Sequence, residues 1–139
     1  MVPPTQETRD AIRSHDQWFG SYKRSGDLVK VQVWLTVYRG DIEFLTGADS
    51  YKAKRVRRNS RVICFLGAPD GPSVEGTAEI LTDRPLRWRL YRAYWRTHPL
   101  MMIPLGPLIA ARILTGKQVA IRVKIDPPNP LEGVTDPEV

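Results

Sequence analysis

The sequence has few of the residues that build disulfide and metal sites. It contains one cysteine, Cys64, and two histidines, His15 and His98. One cysteine cannot form an intrachain disulfide, and these three residues lack the spacing of a zinc site. Cys64 lies in an apolar run, so we expect an inert core residue in a protein of the reducing cytoplasm. The sequence therefore predicts no metal ligands.

Apolar runs of membrane-spanning length are also missing. The most apolar window, residues 99–114, contains three prolines and Arg112 and is shorter than the ~20 residues that a spanning helix needs. We expect it to be a buried or interface segment. Residues 2–10, VPPTQETRD, have neither the basic nor the apolar region of a signal peptide. We therefore expect a cytoplasmic protein without an integral membrane segment.

Several catalytic motifs are absent. The glycines around Gly67 and Gly71 lack the lysine and the spacing of a phosphate-binding loop. No nucleophile elbow is present, and no pair of side chains has the arrangement of a general acid and base. The catalytic residues therefore remain unknown from the sequence.

Length and charge limit the domain organisation and the partners. A chain of 139 residues with 42% hydrophobic content fits one domain, which we place at residues 1–126. Residues 127–139 form a proline-rich acidic tail that we expect to be extended or loosely docked. The net charge of +6 favours a polyanionic partner, which could be a cofactor phosphate, a nucleic acid or an anionic lipid.

Alternating apolar residues predict a protein that is mainly β. From Val29 to Tyr38 the aliphatic side chains occupy every second position, and Arg39-Gly40-Asp41 then forms a tight turn. The predicted strands are residues 18–22, 29–38, 42–46, 62–66, 73–81 and 118–125. With helices at 51–61, 83–96 and 107–114, and a weak one at 5–15, this order predicts a six-stranded antiparallel β-barrel with peripheral helices.

The stretch from Ile42 to Arg61 predicts an anion site. A short strand ends at Gly47, and Asp49 or Ser50 can cap a helix that begins near Tyr51. The first N–H groups of a helix lack intrahelical partners and favour negative charge. Ser50 and Lys52 add a hydroxyl and an ammonium there, whereas the cations that point to solvent are Lys54, Arg55 and Arg58.

A second basic helix, residues 84–96, mixes arginine with aromatic residues. Such a mixture can bind single-stranded nucleic acid by stacking and charge. Trp88, Tyr91 and Trp95 also share one stripe, and a stripe of this kind more often packs against a sheet. We adopt the packing interpretation and expect no nucleic-acid partner.

One part of the chain resembles a known superfamily. The segment VQVWLTVYRGDIEFLTGADSYKAKRVRRNSRVICFL, followed after a Gly-Pro turn by VEGTAEIL, resembles the pyridoxamine 5′-phosphate oxidase-like flavin-binding split barrels. The resemblance is closest to the deazaflavin-dependent branch and covers about residues 17–82. Its motifs are the V-x-V-W strand, a threonine ending the next strand, Ser-x-Lys opening a helix, then R-R-N and V-E-G-T. It implies a homodimer of six-stranded split barrels, with a flavin or deazaflavin in a groove at the dimer interface.

The resemblance also implies roles for individual residues. Ser50 and Lys52 would hold the cofactor phosphate, while Leu45 and Thr46 would approach the cofactor. The ring and ribityl side would be lined by Lys30, Val31, Gln32, Val33 and Trp34. Beyond the phosphate, the basic surface of Lys54, Arg55 and Arg58 suits the carboxylate tail of a deazaflavin.

The implied function is an oxidoreductase that passes a hydride between the deazaflavin coenzyme F420 and an unidentified organic substrate. Tyr51 stands where the oxidases proper have a phosphate-binding arginine, so a vitamin B6 oxidase is not expected. One alternative is an FMN-binding reductase or oxidase-like protein of the same fold. Another is a cofactor carrier or a nucleic-acid-binding barrel without turnover.

Overall fold

A computed structural model describes residues 8, 10, 11, 16–127 and 129–132 of the chain. Thr8, Asp10 and Ala11 are helical, whereas the rest of the predicted N-terminal helix lies outside the described residues. The strands are β1 (Gln17–Tyr22), β2 (Leu28–Gln32), β3 (Thr36–Tyr38), β4 (Asp41–Gly47), β5 (Arg61–Leu66), β6 (Ser73–Leu81) and β7 (Gln118–Ile125). The helices are α1 (Tyr51–Arg58), α2 (Arg84–Thr97) and α3 (Pro99–Leu114).

The strands form one antiparallel sheet in the order β2-β1-β5-β6-β7-β4-β3. The two edge strands, β2 and β3, follow each other directly in the chain. The link between them is residues 33–35, and three extended residues span only about 10 Å. The link therefore brings the two edges of the sheet together, and the sheet curls into a half-barrel.

The prediction of six strands is wrong, because residues 29–38 form two strands rather than one. Their first half pairs with β1, for example Val31 with Phe19, and their second half pairs with β4, where Val37 lies opposite Ile42. The aliphatic alternation continues through the break, since Leu35 is buried in the same core as Val37. The alternation of apolar residues therefore indicates which face of the strand is buried. It does not indicate the position at which the strand changes its pairing partner.

Two hydrophobic clusters lie on opposite faces of the sheet. The barrel interior contains Phe19, Ile42, Phe44 and Cys64, and the Phe19 and Phe44 rings are 4.8 Å apart. Burial raises the pKa of the Cys64 thiol to about 12, which keeps it protonated as expected for an inert core residue. The second cluster joins the outer face of the sheet to α2 and α3.

The three helices pack at different places. Helix α1 buries Ala53 and Val56, the narrow apolar face that its sequence predicts, and packs against β1, β4 and β6. Helix α3 begins at Pro99, earlier than the predicted residue 107, and contains Pro104 and Pro107. Both prolines are exposed, so water can replace the intrahelical bonds that they remove. No helix in the described part of the chain is long and apolar enough to cross a membrane.

Part of the acidic tail is docked on the barrel. Leu131 is fully buried in the interior cluster, and the Asn129 side-chain amide donates to the Gly40 carbonyl at 2.9 Å. The described tail residues, 129–132, therefore close one part of the core next to the β3–β4 turn.

Candidate functional site

The predicted strand, turn and helix are present at the end of β4. Ser50 is the N-cap of α1, with extended backbone angles (φ −66°, ψ 155°), and its hydroxyl accepts from the Ala53 N–H at 3.2 Å. Of the two predicted caps, Ser50 therefore takes this role rather than Asp49. The cap fixes the first turn of α1 beside Gly47, the last residue of β4.

A pair of hydroxyls connects the strand to the helix. The Thr46 hydroxyl donates to the Ser50 oxygen at 3.1 Å. With the bond from Ala53, the Ser50 oxygen then accepts two hydrogen bonds, which is the capacity of its two lone pairs. Its own O–H is left as a donor, so Ser50 is arranged to donate to an acceptor such as a phosphate oxygen.

Lys52 is a cation that the fold partly shields from water at this place. It is half-buried in the first turn of α1, and burial, followed by the charge of Arg55, lowers the pKa of its ammonium. A cation in this state gains more from a bound anion than an exposed lysine does, because less water competes for the charge.

The structure adds Arg112, a cation that the sequence analysis did not select. Arg112 lies in the last turn of α3, and its guanidinium is so close to Gly47 that a Cβ at that glycine would be 2.9 Å from the Arg112 Nη2 atom. Its Nε donates to the Gln118 side chain at 3.1 Å, which orients the group. Nothing in the local sequence predicts this approach, because it depends on how α3 packs on the sheet.

The remaining basic residues of α1 divide into two groups. The Arg57 and Arg58 guanidiniums donate to the carbonyls of Ala48 and Tyr22, each at 3.0 Å. Lys54 and Arg55 lie beside the Tyr51 ring instead, at 5.5 and 5.6 Å from its centroid. Tyr51 is 73% exposed, so this second group forms an open basic and aromatic surface next to the anion site.

The structure separates the predicted ring-binding strand from α1. Lys30 donates to the Pro69 carbonyl at 2.8 Å and lies 3.9 Å from the centroid of the Phe65 ring. Gln32 donates to Asp16 at 3.1 Å, while Val31 and Val33 pack on the barrel interior. These contacts hold the Lys30 and Gln32 side chains on the β1 and β5 side of the sheet.

Trp34 is brought close to Leu45 by a residue that the sequence analysis also missed. The Tyr94 hydroxyl accepts from the Leu45 N–H at 2.7 Å and donates to the Trp34 carbonyl at 3.2 Å. It thus occupies the place where β3 and β4 stop pairing. Burial raises the pKa of this hydroxyl, so it remains a protonated donor.

The same region forms an aromatic wall. The Trp34 ring contacts the edge of Tyr94 at 5.2 Å and stacks on His98 at 4.3 Å with an interplanar angle of 14°. Tyr94 and His98 come from α2 and the junction before α3. We call the three rings of Trp34, Tyr94 and His98 the aromatic wall.

The face of α2 that meets the sheet differs from the prediction. Leu86, Leu90 and Tyr94 pack against Leu45 and Ala120 of the sheet. Tyr91 and Trp95 of the predicted stripe turn toward α3 instead, where the Tyr91 hydroxyl donates to the Gly106 carbonyl at 3.1 Å. The helix has two apolar faces because it lies between the sheet and α3, and a single-stripe interpretation identifies only one of them.

A buried ion-pair cluster fixes α2 on the sheet. Glu43 of β4 is 1% exposed. Its carboxylate accepts a hydrogen bond from Arg122 of β7 at 2.7 Å and forms an ion pair with Arg89 of α2 at 2.8 Å. The Arg89 guanidinium also lies 3.6 Å from the Tyr38 ring centroid. Among the residues that the structure describes, no group of three or more His, Cys, Asp or Glu side chains could hold a metal ion.

Comparison with known proteins gives likenesses of structure rather than of sequence. No family model and no curated protein matches the chain. A conserved hypothetical protein of Mycobacterium tuberculosis matches 90% of this chain and 81% of its own, with a TM-score of 0.69 and 22% identity. A pyridoxamine 5′-phosphate oxidase-like protein of Listeria innocua gives a TM-score of 0.63 at 13% identity, covering 89% of this chain and 94% of its own.

A third solved structure is described as an F420 reductase. It covers 90% of this chain and 96% of its own, with a TM-score of 0.58 and 15% identity. At these identities the likeness shows the fold. The chain therefore has the curled antiparallel sheet found in pyridoxamine 5′-phosphate oxidase-like proteins, and an F420 reductase is one of several proteins with that fold.

Proposed function

We propose that this protein is an oxidoreductase that binds the deazaflavin coenzyme F420 and exchanges a hydride with an organic substrate. The observation that carries the proposal is the set of donors and cations around Gly47, which suits a phosphate. The open basic surface of Lys54 and Arg55 supports this cofactor over FMN, which is the alternative for the same site, and an F420 reductase is one of several structural neighbours.

The residues present fit the phosphate. The Ser50 hydroxyl keeps its proton free to donate, and the backbone N–H groups at the start of α1 lie beside it. Lys52 and Arg112 supply positive charge from two different helices. Gly47 leaves the space between Arg112 and the strand that a side chain would fill.

The ring of the cofactor would lie along β4 toward the aromatic wall. Trp34 offers a flat apolar surface there, and Leu45 and Thr46 lead from it to the phosphate site. The bound cofactor supplies the hydride chemistry. The chain itself binds and orients the cofactor, and the Tyr94 hydroxyl holds the Trp34 and Leu45 backbone in place.

The proposed dimer would complete this site. The proposed groove would run from the aromatic wall to Tyr51, Lys54 and Arg55, which lie on the exposed side of α1. A second copy placed across the groove would cover the ring. Lys30 and Gln32, which face away from the site within one copy, would then act on the partner's cofactor.

A pair of titrations tests the choice of cofactor. We expect F420 to bind more tightly than FMN, because its carboxylates can pair with Lys54 and Arg55 where FMN has no matching charge. The difference in affinity should shrink between ~0.05 and ~0.5 M salt, as it does for exposed ion pairs. Fluorescence titration of each cofactor at the two salt concentrations measures this difference in affinity. An FMN affinity equal to or above that of F420 at low salt would contradict the proposed order of affinities.

A further inference from the structure

Helix α3 presents an apolar stripe that no other part of the described chain covers. Leu100, Ile103, Leu108 and Leu114 are 80, 65, 57 and 62% exposed. Together with the exposed Pro104 and Pro107 they fall within an arc of about 140° around the helix axis, which is one helical face. The opposite side of the helix is packed, since Met102 and Ile113 are buried in the outer core cluster.

Helix α2 adds cations and an indole beside this stripe. Trp95 lies against α3, with its Cζ2 atom 2.9 Å from where a Cβ on Gly106 would be. Arg92 lies one turn before Trp95 on the same side of α2, Arg96 lies one turn after Arg92, and both arginines are exposed. We call this combined surface of α2 and α3 the arginine-apolar face.

The charge on these two helices has one sign. Helices α2 and α3 contain six arginines and no aspartate or glutamate, and Arg84, Arg92 and Arg96 among them are exposed. The apolar stripe therefore lies in a region that attracts anions. An exposed apolar helix face with an indole and flanking arginines is the combination found in helices that lie at the surface of a bilayer.

We propose that the arginine-apolar face docks the protein onto the surface of an anionic phospholipid bilayer. The Leu100, Ile103 and Leu108 side chains enter the boundary between headgroups and acyl chains. The stems of Arg92 and Arg96 lie along the apolar surface, and their guanidiniums pair with lipid phosphates.

The prolines of α3 fit a shallow position. Pro104 and Pro107 have no N–H, so the Leu100 and Ile103 carbonyls lose their usual intrahelical donors. In the hydrocarbon interior this loss would be costly, whereas at headgroup depth water still reaches both carbonyls. Helix α3 therefore suits the interface plane rather than a deeper position.

A second copy of this chain suits the face less well. A symmetric contact would bring the face against itself, and Arg92 and Arg96 of both copies would approach without an acidic partner. An anionic lipid surface supplies the charge that this arrangement lacks. The two proposals are tested by different measurements, vesicle binding for the docking face and molecular mass for the dimer.

Vesicle sedimentation of the full chain tests the proposal. We expect binding to vesicles of phosphatidylglycerol and phosphatidylcholine at ~0.1 M salt, weaker binding at ~0.5 M, and little binding to phosphatidylcholine alone. Tryptophan fluorescence should shift to the blue on binding, and Trp95→Phe should remove most of the shift, because the Trp95 indole lies on the face.

Two variants and one matched control assign the binding to this surface. Arg92→Gln with Arg96→Gln should weaken partitioning by about fivefold for each charge removed. Ile103→Ser with Leu108→Ser should weaken it about tenfold or more. Lys23→Gln with Arg24→Gln removes the same charge from the exposed β1–β2 turn and should change it little.

Three outcomes would overturn the proposal. They are no binding to anionic vesicles at ~0.1 M salt, an equal loss of binding in the β1–β2 turn control, and a dimer that becomes monomeric in the Ile103→Ser/Leu108→Ser variant. The last result would mean that a second copy covers the face. Circular dichroism of each variant confirms that the exposed substitutions leave the fold intact.

Discussion

The proposed phosphate site around Gly47 depends on a few single side chains. Lys52 is half-buried at the start of α1, and burial lowers the pKa of its ammonium below the ordinary value of 10.5. A bound phosphate favours the charged form and raises that pKa again. Cofactor affinity is therefore linked to the protonation of one lysine.

This linkage predicts a pH dependence. Affinity should be full below the lowered pKa of Lys52 and should fall as the pH rises through it, because the neutral amine no longer attracts the phosphate. The Lys52→Arg variant, whose guanidinium stays charged, should keep its affinity over the same range. Titrations from pH 8 to about 10.5 measure both, and an identical decline in the two proteins would place the titrating group elsewhere.

In the free protein, the sign of the effect on stability is opposite to that on affinity. The unfolded chain holds the Lys52 proton more tightly than the folded chain does, so the free energy of unfolding should rise with pH between the lowered pKa and 10.5. At neutral pH the charged Lys52 therefore lowers the free energy of unfolding, and it leaves a partly dehydrated positive charge at the start of α1.

Gly47 provides a test of Arg112. A methyl group at Gly47 would meet the Arg112 Nη2 atom, which is the end of a flexible side chain and can move away. Gly47→Ala should thus displace the guanidinium, weaken cofactor binding about tenfold and leave the melting temperature nearly unchanged. Arg112→Ala should weaken binding to a similar degree, and the double variant should be no weaker than either single one. Additive losses would show that Arg112 and Gly47 act separately.

At the scale of the elements, the docking of α2 on the sheet depends on Glu43. This carboxylate lies between Arg89 and Arg122, and its removal leaves two guanidiniums next to each other in a mostly buried interface. Glu43→Ala should therefore lower the free energy of unfolding by about 3–5 kcal/mol. Urea denaturation measures the change. Glu79→Ala, which removes an exposed acid opposite Arg122 on β6, is the control and should cost less than about 1 kcal/mol.

Elements defined by local patterns could be predicted from the sequence. Helix α1 follows from the Ser50 cap and the Ala53 and Val56 stripe, and β5 and β6 follow from the turn at residues 69–72. Gly76 in β6 packs against the Lys124 carbonyl of β7, at a place where a Cβ would not fit.

Features that depend on distant partners could not be predicted in this way. The break between β2 and β3 changes the partner strand but not the side-chain alternation, so the pattern of Val29 to Val37 conceals it. The approach of Arg112 to Gly47 and of Tyr94 to Leu45 depends on how α2 and α3 pack on the sheet. The sequence therefore predicted the Ser50 and Lys52 part of the candidate site from one strand, turn and helix. The Arg112 and Tyr94 part required the tertiary structure.

For the whole molecule, we expect a homodimer that shares the cofactor groove. In one copy Tyr51 is exposed, and Lys30 and Gln32 are engaged by Pro69 and Asp16 rather than by α1. Sedimentation velocity at micromolar concentration should give the mass of two chains, with or without cofactor. A monomer throughout the micromolar range would rule out the shared groove. The Ile103→Ser/Leu108→Ser variant should leave the dimer intact, because both substitutions lie on the arginine-apolar face rather than at the proposed dimer interface.

The central claim is that the cofactor phosphate binds at the start of α1. Titration of three alanine variants with F420 tests it most directly, since Lys52, Lys54 and Arg58 lie on the same helix and each substitution removes one charge. A partly dehydrated charge-assisted contact is worth roughly 1.5–3 kcal/mol and an exposed one about 0–1, so Lys52→Ala should weaken binding about tenfold more than Lys54→Ala or Arg58→Ala. Equal affinities for the three variants, with unchanged melting temperatures, would show that the phosphate binds elsewhere.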